Sequence, residues 1–111
     1  MAVYAEKLDT IKKDAGLSRQ EVAQIVGASP RTVFRWASGA TLPRGGARDR
    51  VLELAAVAQR LKTVMQPEAA TAWLFQPNPL LDDQRPVNLI ARGHYQEVLD
   101  AIDALREGVF V

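Results

Sequence analysis

The sequence predicts an all-α fold, and three observations predict it. Apolar residues recur at three- and four-residue steps in one segment after another, the period of a helix with one buried face. These segments are punctuated by start and stop chemistry, with Ser or Pro ahead of the periodic runs and Gly behind them. No segment shows a convincing two-residue alternation of a half-buried strand, and no repeat or low-complexity run breaks the pattern.

Tyr4, Leu8, Ile11 and Ala15 share the face of a first helix, and Gly16-Leu17 reads as a stop of the Schellman kind. Ser18 and Glu21 then form a capping box, hydroxyl and carboxylate each accepting a backbone N–H, ahead of a short helix with Val22, Ile25 and Val26 inside. Gly27 and Ala28 make a tight turn. Ser29 is a good N-cap, and Pro30 stands at the first helical position, where its missing N–H costs nothing. Val33, Trp36 and Ala37 are the expected inward face of this third helix, which ends near Gly39. Thr41-Leu42-Pro43-Arg44-Gly45-Gly46 is a loop. Val51, Leu54, Ala58, Leu61 and Met65 then mark a long fourth helix over about 47–65, its seam long enough to serve both the preceding helices and whatever follows.

Pro67 opens a short helix through Ala70, Trp73 and Leu74, and Gln76-Pro77-Asn78-Pro79 breaks it, two prolines removing two backbone donors. Pro86 starts another through Val87, Leu89 and Ile90, closed by Gly93. Tyr95, Val98, Leu99, Ile102 and Leu105 line the last helix, Gly108 ends it, and Val109-Phe110-Val111 is an apolar tail. The expected division is a bundle over 1–46, a connecting helix over 47–66 and a small helical unit over 67–111, with a modest hinge at most.

Composition narrows the function. The 111 residues suit one compact domain or two very small ones, and 48% hydrophobic content is that of a globular protein. The absence of cysteine excludes disulfides, thiolate metal sites and a thiol nucleophile. The first residues lack the apolar run of a signal peptide, and no apolar stretch approaches the roughly 20 residues of a membrane span. The expectation is a cytoplasmic protein without membrane attachment. The net charge of +1 conceals a division, with 11 Lys and Arg against 6 Asp and Glu in residues 1–62, and 3 against 7 in residues 63–111. A basic half suits a polyanion and an acidic half a basic protein surface, although solvated charges give the same totals.

Residues 19–39 match the helix-turn-helix pattern. Small Ala23 allows a close helix crossing, Gly27 lies in the turn, and Val33 and Trp36 complete a small core. The segment resembles the Xre/Cro-type domain, with Trp36-Ala37-Ser38-Gly39 similar to that family's ending of the recognition helix. Ser29, Arg31, Thr32, Phe34, Arg35 and Ser38 are then the outward residues. Arg31 and Arg35 suit guanine edges or phosphates, and Thr32 and Ser38 phosphate oxygens. Pro30 and Phe34 depart from a good DNA reader: one removes a donor, and the other places an aromatic ring where polar base contacts are usual. Phe34 suits either a thymine methyl or a protein partner. The alternative is a three-helix scaffold that has lost DNA binding.

In the second half, Ala72-Trp73-Leu74, Pro77-Asn78-Pro79-Leu80-Leu81, Arg85-Pro86-Val87-Asn88-Leu89-Ile90, Gly93 and Glu107-Gly108-Val109-Phe110-Val111 resemble the toxin-binding domain of Xre/MbcA/ParS antitoxins. The likeness runs from about residue 71 onward and falls nearest the MbcA-type antitoxins, whose endings also read Gly-Val-Phe-Val. It implies a non-enzymatic antitoxin of a type II toxin–antitoxin system, without cofactor or metal. Its partner is then a RES-domain toxin that consumes NAD, occluded at its active site in a 2:2 or larger assembly, and the antitoxin would also autoregulate its operon through operator DNA. The resemblance favours Gly108, Val109, Phe110 and Val111 as a plug for the toxin's cleft, where a terminal apolar segment and its carboxylate suit an anionic-dinucleotide site. A tail folded back on its own domain is the alternative.

Asp100, Asp103 and Glu107, at i, i+3 and i+7, can face basic toxin residues or be merely solvated. The remaining polar residues have plain readings. Trp73 is core rather than an interface anchor, Asn78 caps the next turn, His94 caps or faces solvent, and Asp82 and Asp83 are helix-start charges. No phosphate loop, nucleophile elbow or metal spacing points to an enzyme. The rival function is a stand-alone helix-turn-helix regulator whose second half only dimerises.

Overall fold

Side-chain capping starts the second and third helices in the computed structural model, which describes residues 3–108. Helix α1 (Val3–Ala15) is followed by α2 (Arg19–Val26), where Ser18 Oγ accepts the Glu21 N–H at 3.1 Å and a Glu21 carboxylate oxygen accepts the Ser18 N–H at 2.8 Å. In α3 (Pro30–Ala37) the Thr32 N–H donates to Ser29 Oγ at 3.0 Å, and Pro30 takes the first helical position. Then come α4 (Gly45–Lys62), α5 (Pro67–Phe75), a 3₁₀ turn at Pro79–Leu81, α6 (Pro86–Ala91) and α7 (Tyr95–Arg106). Every regular element among the described residues is helical, as the periodicity predicts.

Helix α4 organises the molecule. Val51, Leu54, Val57, Ala58 and Leu61 have no exposed surface, and the helix packs against α1, α2, α5, α6 and α7. At 1.5 Å per residue its 18 residues make a rod about 27 Å long. The expected double use of the seam is therefore present: one hydrophobic core runs from Leu8 to Ile102. Contacts of α1 with α5 and of α2 with α6 join the two ends without passing through α4. The same burial leaves the seam residues of α4 no surface for contacts between copies of the chain.

Other boundaries differ for local reasons. Helix α4 starts at Gly45 rather than about residue 47 and stops at Lys62, where Thr63 Oγ1 donates to the Arg60 carbonyl at 2.7 Å and the chain becomes extended at Gln66 ahead of Pro67. Ala37 is exposed rather than inward, because Val33 and Trp36 already fill the space under α3. Gly16 closes α1 with a single bond, its N–H to the Lys12 carbonyl at 3.1 Å, the simpler left-handed cap rather than the Schellman pair. Asp82 and Asp83 are not helix-start charges. Both adopt left-handed backbone, φ 55° and 61°, in the turn that brings Gln84 back to Asn78. The Asn78 N–H donates to the Gln84 carbonyl at 3.1 Å and its side chain accepts from the Leu80 N–H at 2.9 Å, so the buried Asn78 caps the turn as expected. His94 precedes α7 without capping it and is exposed. Trp73 is partly buried against the core.

Candidate functional site

Two surfaces carry the candidate residues. The first is the outer side of α3, set against α2 by the turn at Gly27, whose φ of 78° is the left-handed geometry that reverses the chain between the two helices. Val33 and Trp36 anchor α3 inward, so Arg31, Phe34, Arg35 and Ser38, at helical spacing on the opposite side, all stand exposed. Arg31 and Arg35 make no ion pair or side-chain hydrogen bond among the described residues. The small polar residues differ. Ser29 Oγ donates to Thr32 Oγ1 at 2.9 Å while accepting the Thr32 N–H, and Ser38 Oγ donates to the Arg35 carbonyl at 3.1 Å. Their local work holds the two ends of α3, and the two guanidinium groups remain as its outward cations. Sequence reasoning missed Arg19. At the start of α2, it lies over the Phe34 ring at 4.7 Å from the centroid, a cross-helix pairing that no local spacing reveals.

The second surface belongs to α7. Here the structure separates three carboxylates that the helical spacing groups together. Asp103 is tied to the fold: Arg60 of α4 donates to both its oxygens at 2.7 and 2.8 Å, and Arg106 approaches at 3.2 Å. Asp100 is exposed, accepts from Gln96 at 3.1 Å, and borders a shallow groove of about 420 Å³ between the 3₁₀ turn and α7. Leu80, Ala101 and Ala104 line that groove, and Asp82 and Glu97 join Asp100 in giving it negative charge. Glu107 is exposed at the end of α7, beside Gly108, while Val109, Phe110 and Val111 lie outside the described residues. Arg60 was not legible as the partner of Asp103, since 43 residues separate them.

The two roles on α7 are separable by measurement. Asp103→Ala is expected to lower the unfolding free energy by about 1 kcal/mol, the scale of a partly exposed, hydrogen-bonded ion pair. Asp100→Ala is expected to change it by less than about 0.5 kcal/mol. Urea denaturation compares them, and equal effects would remove the tie between α4 and α7.

No group of three or more metal-ligating side chains occurs among the described residues. The pKa shifts are those of surface ion pairs: hydrogen bonding to Glu53 raises Arg50, and hydrogen bonding to Asp9 raises Lys13. No helix among the described residues is long and apolar enough to cross a membrane.

With this geometry in place, the likeness to known proteins is specific. Residues 61–108 match the model of the antitoxin Xre/MbcA/ParS C-terminal toxin-binding domain, a span that includes the end of α4 as well as α5–α7. The mycobacterial cidal antitoxin MbcA of Mycobacterium tuberculosis is 47% identical over 96 residues, 86% of this chain and 85% of that protein. A probable mycobacterial cidal antitoxin of the same organism is 32% identical over 110 residues, 99% of this chain and 94% of the relative. A chain of the crystal structure of the M. tuberculosis MbcT–MbcA toxin–antitoxin complex superposes with a TM-score of 0.88 at 43% identity, covering 98% of both chains. These relatives agree with the expectation of a non-enzymatic protein. By this identity and coverage, the chain belongs to the Xre/MbcA/ParS antitoxins and is MbcA-like.

Proposed function

We propose that this antitoxin neutralises a RES-domain toxin that consumes NAD, by binding it through the second half of the chain and occluding its active site. The observation that carries the reading is the likeness, over 98% of both chains, to a chain of a toxin–antitoxin complex. The acidic surface of α7 supports it, because exposed Asp100 and Glu107 suit a basic cleft built for an anionic dinucleotide. Residues 108–111 are the proposed plug, and Asp100, Asp103 and Glu107 the docking face, with Asp103 contributing mainly through the position of α7. The assembly is 2:2 or larger, and its place is the cytoplasm. Co-expression with the product of the adjacent gene tests this. The expected result is a co-purifying complex, at least 2:2 by light scattering, and rescue of growth when the toxin is induced. A chain that neither co-purifies nor rescues overturns the reading.

The first half supports a second role, repression of its own operon. Ser29, Arg31, Thr32, Arg35 and Ser38 form the proposed DNA face, with the two arginines as the contacting groups and the hydroxyls of Ser29 and Ser38 shaping the helix. Arg31→Ala together with Arg35→Ala is expected to reduce promoter affinity and to lower the slope of log affinity against log salt by up to about 1.8, if each guanidinium neutralises one phosphate. Toxin neutralisation stays intact. A gel-shift titration across potassium chloride concentrations reads this, and unchanged binding removes α3 from the DNA interface. The rival is a stand-alone regulator whose second half only dimerises. Toxin co-purification separates the two.

A further inference from the structure

Phe34 is the residue on the outer side of α3 that a solvated scaffold does not explain. It is 50% exposed on a helix whose Val33 and Trp36 are buried. It stands about one turn of α3 from Arg31, on the same side of the helix, while Arg35 follows about 100° further round. The Arg19 guanidinium covers one face of its ring. That stacking limits rotation of the ring, leaves the rest of it open, and holds a cation from α2 at the border of that side. An exposed aromatic edge among three arginines has an apolar centre and a cationic rim. In the major groove of DNA, the apolar feature on base edges is the thymine 5-methyl group, flanked by phosphates.

Resting on the DNA-binding role above, we propose that Phe34 is a specificity-determining residue that packs on a thymine methyl in the operator, with Arg19 orienting the ring and neutralising a neighbouring phosphate. Phe34 thus supplies the sequence preference that polar base contacts supply on other recognition helices, and Arg19 belongs to the same interface. The departure from a polar reader becomes the feature that reads.

The test uses the full-length chain, alone and with its toxin, on the duplex of its own promoter made either with thymine or with deoxyuridine throughout, which removes every methyl group. The unaltered chain is expected to bind the thymine duplex about fourfold more tightly, the effect of burying one methyl-sized group. Phe34→Ala is expected to abolish that ratio while keeping the salt dependence. Arg19→Gln is expected to lower the salt slope by about 0.9, one phosphate contact. Phe34 is exposed, and circular dichroism confirms that its variant remains folded. A Phe34→Ala chain that still prefers thymine fourfold, or an unaltered chain with no preference, overturns the assignment while DNA binding itself stands. An absence of any salt-dependent binding overturns the DNA role and this proposal together.

Discussion

Removing residues 108–111 is expected to weaken toxin binding by one to two orders of magnitude while leaving the fold intact. If the tail is the plug proposed above, burial of the Phe110 side chain in the partner's cleft would contribute about 1.5–3 kcal/mol, which converts to that loss in affinity. The fold survives because the described core ends at Ile102 and Gly108 lies beyond the end of α7, so no described core side chain is lost. Helix α7 and its groove remain, so the shortened chain is expected to associate still but to occlude the cleft poorly. Calorimetric titration with the toxin gives the affinity, toxin NAD turnover at fixed antitoxin excess gives the occlusion, and circular dichroism confirms folding. A shortened chain that binds and inhibits as well as the full one places inhibition on another surface, with Asp100 and its groove next to be tested.

Gly16→Ala is expected to lower the unfolding free energy by about 3 kcal/mol, and the thermal midpoint by roughly 10 °C or more. Two effects add. The residue holds φ +66°, which costs an alanine about 1–2 kcal/mol. A Cβ built there would lie 2.5 Å from Thr71 Oγ1 and 2.9 Å from the Pro67 carbonyl oxygen. Thr71 cannot simply move, because Oγ1 donates to the Ala15 carbonyl at 2.6 Å and lies 3.0 Å from the Pro67 carbonyl. Yielding breaks the bond that joins the end of α1 to α5, and the loss of that bond adds about 1 kcal/mol. Adding Thr71→Ala to Gly16→Ala removes the side-chain clash but not the backbone one, so it recovers part of the loss at most. Thermal unfolding measures all three chains, and a Gly16→Ala protein as stable as its parent would contradict the close approach of α1 and α5.

What the sequence by itself determined is the local layer. Ser18 with Glu21, Ser29 with Pro30, Gly27 and Asn78 act on backbone groups within a few residues, so their chemistry is legible without a structure. The buried stripe of α4 is equally legible, since burial on one side imposes the helical period. Tertiary structure decided what joins residues far apart. It seated Arg19 on Phe34, tied Asp103 to Arg60, joined Thr71 to Ala15 and made two left-handed residues of Asp82 and Asp83. Periodicity states which face is turned inward but not what it meets. An exposed carboxylate and one paired across the bundle therefore read alike along the chain, and only packing distinguishes Asp100, open at a groove, from Asp103, held against α4.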